Sequence, residues 1–169
     1  QAVHEGENVL GVILGNGWFN VETLAVWLFD QAPWRATPRL LLELRVVYKD
    51  GRTATITSDE SWRTSDSPIT FSSIYSGESY DARMEQPGWD AVGFDDHSWS
   101  PALVVDAPKG KLAAQAMHPI RLDRIIRPVA ITEPAPGVYL IDAGQNLTGN
   151  AELACSAPAG TQVTLRYGE

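Results

Sequence analysis

Along this chain short apolar runs alternate with turn-forming clusters, and nowhere do apolar residues recur over a long stretch at the 3.6-residue spacing of an amphipathic helix. Val9-Leu10-Gly11-Val12-Ile13-Leu14 is continuously apolar and is stopped by Gly15-Asn16-Gly17, which predicts a buried strand running into a tight turn. From Arg39 to Val47 the pattern alternates, with Glu43 and Arg45 on one face and Leu42, Leu44 and Val46 on the other, as a half-buried strand requires. Lys49-Asp50-Gly51-Arg52 follows. Asp-Gly tolerates the left-handed conformations of a hairpin turn, so the return strand is expected at Thr53–Thr57.

Further strands are expected at Ile69–Tyr75, around Tyr80-Asp81-Ala82-Arg83, and at Leu103–Val105 and Leu112–Met117. Gly93-Phe94-Asp95-Asp96-His97-Ser98-Trp99 reads as a turn or single helical turn capped by Asp95 or Asp96, with Trp99 returning to the core. Asp106–Gly110 reads as a surface connection. After His118-Pro119 a second series begins: Ile125–Ile131, a turn at Pro134–Gly137, Val138–Ile141, Ala151–Cys155, a turn at Ala157–Gly160, then Val163–Tyr167. Short strands at even spacing with turn chemistry between them predict an all-β sandwich or barrel.

Composition narrows the function more than the fold. The 169 residues suffice for one domain, or one plus part of a second. Lys+Arg 13 against Asp+Glu 21 gives a net charge of −8 with no basic run, which excludes nucleic acid and anionic membrane as partners. The apolar runs are too short to span a bilayer. Cys155 is the single cysteine, without the Cys/His neighbours of a zinc site. Six tryptophans alongside 14 Gly and 11 Pro suit a β-rich fold. With no initiator Met and no signal-peptide pattern at Gln1, the chain is expected to be a piece of a longer protein, and no compartment follows from it.

No catalytic centre is placed by any motif. Glycoside hydrolysis needs two carboxylates across a bond, but Asp95-Asp96 are adjacent turn residues and read as caps. His4, His97 and His118 lie beside no Gly-x-Ser-x-Gly elbow. Gly15-Asn16-Gly17 lacks the Lys and third glycine of a phosphate loop and reads as a turn. Asn146-Leu147-Thr148 matches a glycosylation acceptor. The aromatic residues carry more. An indole face can stack on the apolar side of a pyranose while Asp, Asn, Glu or Arg hold its hydroxyls. Trp18, Trp27 and Trp34 fall in the segment 15–38, long for a connection and so a candidate for function. Trp62, Trp89 and Trp99 are assigned to the core, whereas Trp27 and Trp34 are compatible with core or surface.

Gly6–Phe19, Gly77-Glu78-Ser79-Tyr80-Asp81-Ala82-Arg83, Gly88-Trp89 and Gly93–Trp99, in this order, resemble the N-terminal accessory region of bacterial α-L-rhamnosidases, glycoside hydrolase family 78. His118-Pro119-Ile120-Arg121, Asp142–Gly149 and Leu165–Glu169 resemble the region that follows it in those enzymes. The resemblance implies a jelly-roll-like β-sandwich over 1–117, preceded by further strands, and the first strands of a second β-sandwich over 118–169. It places the catalytic acids on an (α/α)6 barrel outside these residues, in an enzyme removing terminal α-L-rhamnose. The expected partners are the remaining domains of that enzyme, periplasmic or secreted, and a rhamnose-containing glycan. Some members hold calcium with Asp and Asn side chains. Here Val21-Glu22-Thr23-Leu24-Ala25-Val26 replaces the Asp-Asn pair, so no cofactor is expected. The candidate carbohydrate-contacting residues are Trp18, Trp27 and Trp34 for stacking and Asn16 and Asp81 for hydroxyls, with no catalytic and no metal-ligating residue.

Overall fold

The alternation around Leu44 and the Asp-Gly turn produce the hairpin they predict. In the computed structural model, which describes residues 3–24, 27–107 and 110–168, β1 (Glu43–Val47) pairs antiparallel with β2 (Thr53–Thr57), Val47 opposite Thr53 and Glu43 opposite Thr57. Leu42, Leu44 and Val46 are half-buried while Glu43 and Arg45 face solvent. The connection takes five residues rather than two. Tyr48 N–H donates to the Arg52 carbonyl at 2.9 Å, Gly51 N–H donates to the Tyr48 carbonyl at 3.0 Å, and Gly51 sits at φ +86° where a side chain would be strained. Asp50 closes the loop by accepting from the Arg52 backbone at 3.0 Å and from its Nε at 2.7 Å.

The chain divides into two units, Gln1–Lys109 and Gly110–Glu169. In the first, β3 (Arg63–Thr64) pairs with β6 (Ser100–Pro101), and β4 (Ile69–Ser73) pairs with β5 (Gly77–Tyr80) through a register shift between Ile69 and Phe71. Single turns of 3-10 helix occupy Phe29–Gln31 and Ala82–Met84. In the second unit β7 (Ala130–Ala135) pairs with β8 (Val138–Asp142), Ile131 opposite Ile141. All four ladders are antiparallel and two-stranded, and the described residues contain no α-helix, so the fold is all-β as expected.

Several expected strands form no ladder: 9–14, 103–105, 112–117, 151–155 and 163–167. Their apolar side chains find no covering layer, Ile13 being 65% and Leu103 84% exposed, and an apolar run adopts a ladder only where a second strand offers its N–H and C=O groups. The short β3–β6 ladder had no pattern to announce it. The parts of the 21–26 stretch and of the 106–110 connection at residues 25–26 and 108–109 lie outside the described residues, as does Glu169.

Trp62, Trp89 and Trp99 are half-buried. Trp62 Nε1 donates to the Thr57 carbonyl at 3.2 Å, fastening β3 to the end of β2. Trp99 Nε1 donates to Gln86 Oε1 at 2.7 Å, and Phe94 meets the Trp99 ring edge-on at 5.6 Å. Among the described residues of the first unit the buried ones are Val21 and Asn20, 1% and 6% exposed, which places its tightest packing inside the segment 15–38.

Candidate functional site

Asn16 begins the site. Gly17, at φ +49°, turns the chain so that Asn20 N–H returns to the Asn16 carbonyl at 3.0 Å. Asn20 is only 6% exposed, and a buried amide needs partners for its hydrogens. Its Nδ2 donates to Asn16 Oδ1 at 2.8 Å and to Glu22 Oε1 at 3.1 Å, while Asn16 Nδ2 donates to the Ser72 carbonyl of β4 at 3.2 Å. A second tie to β4 is the hydroxyl pair Thr23 Oγ1 and Ser73 Oγ, 2.8 Å apart. Asn16 and Glu22, with Ile13, Leu14, Ile69 and Phe71, line a cavity of about 170 Å³ whose wall mixes polar and apolar side chains.

The aromatic residues gather beside this network. Trp18 meets Phe29 edge-on at 5.2 Å and Tyr75 edge-on at 5.5 Å, and Phe29 lies 6.5 Å from Trp34. Such edge-to-face contacts suit the ring quadrupoles. Leu28, at φ +54°, adopts a left-handed backbone that a branched side chain rarely accepts, and it starts the turn that presents Phe29. Arg35 holds the two halves of the segment together, its Nη1 donating to the Val21 carbonyl at 3.0 Å and to the Asp30 carbonyl at 3.3 Å. Asp30 Oδ1 is enclosed without a hydrogen-bond partner among the described residues. Trp18 is 53% and Trp34 55% exposed, so both keep ring surface in solvent; Trp27 is 73% exposed and makes no aromatic contact among the described residues.

Asp81 belongs to a different network. It caps the 82–84 turn by accepting from the Arg83 backbone at 3.0 Å, and its carboxylate is held by Arg83 Nε at 2.8 Å and Nη2 at 2.5 Å. The guanidinium side-chain bond, then the backbone bond, holds its carboxyl down at about 2. The structure therefore joins Asn16 to the cavity and Trp18 to Trp34 through Phe29, leaves Trp27 free, and engages Asp81 elsewhere. Sequence reading missed Asn20, Glu22, Phe29 and Tyr75. Asn20-x-Glu22 after a Gly turn is a readable hint of a polar network, but Tyr75 reaches Trp18 from beyond β4 and no local pattern shows it.

The donor set does not fit a calcium cage. Glu22 is the only carboxylate in the network and already accepts from Asn20, as does Asn16 Oδ1, whereas calcium takes six to eight oxygens. Among the described residues no three His, Cys, Asp or Glu side chains group to hold a metal. Among the described residues the carboxyls that depart from their ordinary range, Asp50, Asp59, Asp81 and Asp95, are all held low, by hydrogen bonds from Arg52, Ser61, Arg83 and His97 respectively.

Against known proteins, residues 1–124 match the family model described as the α-L-rhamnosidase N-terminal domain, and residues 132–169 match the bacterial α-L-rhamnosidase concanavalin-like domain. An α-L-rhamnosidase of Streptomyces avermitilis is 38% identical over the whole chain, and one of Formosa agariphila is 34% identical over 95% of it. The chain spans 16% and 17% of the length of those relatives. A crystal structure of the Streptomyces avermitilis α-L-rhamnosidase complexed with L-rhamnose superposes on 78% of this chain and 13% of its own, with a TM-score of 0.67 at 37% identity.

Proposed function

Because this chain belongs to the α-L-rhamnosidase family through that family's N-terminal domain, we propose that it is a non-catalytic accessory region of an enzyme that releases terminal α-L-rhamnose from glycosides, and that segment 15–38 is its carbohydrate-contacting surface. The second β region begins near His118 on this reading, and its partners are the remaining domains of that enzyme.

The observation that carries the reading is the pairing, on one segment, of solvent-facing indoles with a hydrogen-bonded amide and carboxylate network. A pyranose offers an apolar C–H face and a rim of hydroxyls. Trp27 and Trp34 supply the stacking surface and Trp18 supports it. Asn16 is the first hydroxyl partner, with Glu22 beside it. Asp81, as a sugar ligand, would exchange its Arg83 partner for a hydroxyl.

Titrating L-rhamnose with and without calcium while following tryptophan emission tests the surface, a saturable change supporting it and a flat response at millimolar sugar rejecting it. Turnover of an aryl α-L-rhamnoside by this chain alone would reject the non-catalytic assignment. A second reading, packing on neighbouring domains with no sugar contact, is favoured by the many exposed apolar side chains, and the flat titration would select it.

A further inference from the structure

We infer that the Asn16-Gly17 step is a site of slow self-modification, at which the Asn16 amide converts to a carboxylate, and that the hydrogen bonds holding Asn16 to Asn20 and β4 set its rate. The inference does not depend on sugar binding at the same segment.

The chemistry needs only water and the chain itself. With its proton taken by hydroxide, the Gly17 backbone nitrogen bonds to Asn16 Cγ, the Cγ–Nδ2 bond breaks, and Nδ2 leaves as ammonia with a proton from water. A cyclic imide remains. Water then opens the ring: cleavage at Cγ leaves aspartate in the ordinary chain, whereas cleavage at the Asn16 carbonyl carbon leaves isoaspartate, with the chain running through Cγ.

Of the asparagines Asn8, Asn16, Asn20, Asn146 and Asn150, only Asn16 precedes a glycine; the others are followed by Val9, Val21, Leu147 and Ala151. A residue without a Cβ leaves its backbone nitrogen open to approach. Gly17 is exposed, nothing stands within 4 Å of where its Cβ would be, and among the described residues its N–H makes no backbone hydrogen bond. The nucleophile is therefore unencumbered.

The amide it attacks is restrained. Asn16 Nδ2 donates to the Ser72 carbonyl at 3.2 Å, and Asn16 Oδ1 accepts from Asn20 Nδ2 at 2.8 Å. Ring closure makes Cγ tetrahedral, which these two bonds to a planar amide oppose, so reaction follows local opening of the turn. Conversion then hinders its reclosure. A carboxylate at position 16 has no hydrogen for the Ser72 carbonyl, and it sets a second negative charge beside Asn20, whose other acceptor is Glu22. Isoaspartate also lengthens the backbone within the turn that the Asn20 N–H closes on the Asn16 carbonyl at 3.0 Å.

The test is peptide-mapping mass spectrometry of this chain kept in mildly alkaline buffer, folded and in urea. The amide-to-acid mass gain is expected first at Asn16, roughly tenfold or more slower in the folded chain than in urea. Asn20→Ala, which frees Asn16 Oδ1, should raise the folded rate at Asn16 roughly three- to tenfold, the worth of one hydrogen bond, and leave Asn146 unchanged. Ser73→Ala breaks the Thr23 tie to β4 without touching Asn16 and should raise the rate by less; it decides the matter if Asn20→Ala loses its circular dichroism spectrum. First conversion at another asparagine, a folded rate equal to that in urea, or the wild-type rate at Asn16 in the folded variants overturns the inference. The mass readout involves no sugar, so a flat rhamnose titration leaves it standing.

Discussion

The indole of Trp89 lies across the backbone of Gly11, so that a Cβ at position 11 would stand 2.8 Å from Trp89 Cη2. Gly11 sits in the unpaired run 9–14, and this contact gives that run a fixed neighbour where no ladder does. Gly11 has no left-handed backbone to strain; the requirement is space alone. Gly11→Ala is therefore expected to displace the ring and cost about 1–3 kcal/mol of local stability. Red-shifted Trp89 emission, in a background where the other tryptophans are Phe, is the measurement; an unshifted spectrum would show that the run moves aside freely.

Gly144 combines two demands that Gly11 separates. It lies at φ +72°, and a Cβ there would be 2.9 Å from Val129 Cγ1. Its N–H donates to Asp142 Oδ1 at 2.7 Å at the end of β8, while Val129 N–H donates to the Asp142 carbonyl at 2.8 Å. Gly144→Ala should open the β7–β8 hairpin at this end, whereas Gly137→Ala, at φ +76° but with open space around it, carries the backbone strain only. Cross-peaks between residues 129 and 142 in NMR should weaken more for the first variant than for the second.

How far the sequence foretold this structure depends on the range of the signal. The β1–β2 hairpin was legible because alternation at Leu42, Leu44 and Val46 and the Asp50-Gly51 turn act within a few residues. The 9–14 run was equally apolar, yet it forms no strand, because a ladder needs a distant partner that local pattern cannot supply. The site shows the same division. The segment 15–38 was identified from its length and its tryptophans, and Asn16 and Trp18 do lie in its two networks. Ser72, Ser73 and Tyr75 complete those networks from β4 and beyond, fifty or more residues on in sequence.

Asn20 is the member of the polar network with least access to water. Asn20→Ala removes both donations, leaving Asn16 Oδ1 and Glu22 Oε1 without their amide partner, at a cost of about 1–3 kcal/mol. Asn20→Asp is expected to be worse, since a carboxylate would then face Glu22. Cleavage by a non-specific protease between residues 17 and 24 should accelerate in the order wild type, Asn20→Ala, Asn20→Asp. Equal rates would mean that the turn is held by Gly17 and Val21 alone.

The Asp81–Arg83 pair predicts a pH window. Asp81 is held at about 2 against an ordinary 3.8, first by the Arg83 side chain and then by its backbone N–H. A depressed carboxyl favours the folded turn above 3.8, and that contribution is lost as pH falls through 3.8 toward 2. The 82–84 turn should thus loosen between those values, read as loss of the Arg83 amide shift in an NMR titration. Arg83→Ala keeps the backbone donor but removes the guanidinium, so the Asp81 midpoint should rise toward its ordinary value, and an unchanged midpoint would assign the depression to the rest of the turn.

Trp27 and Trp34 differ in what their rings already touch, and this separates stacking from scaffolding. Trp27 is 73% exposed with no aromatic neighbour described, so its removal costs the fold little. Trp34 is tied to Trp18 through Phe29, so its loss also disturbs the cluster. If segment 15–38 contacts sugar, Trp27→Ala should weaken L-rhamnose binding by roughly three- to tenfold, the worth of one stacking contact, with an unchanged circular dichroism spectrum. Trp34→Ala should weaken binding and also alter the near-ultraviolet signal of Trp18 and Tyr75. A Trp27→Ala variant that binds as the wild type does, beside a Trp34→Ala variant that does not, would move the contact surface from the free indole to the Trp18–Phe29–Trp34 cluster and the cavity beside Asn16.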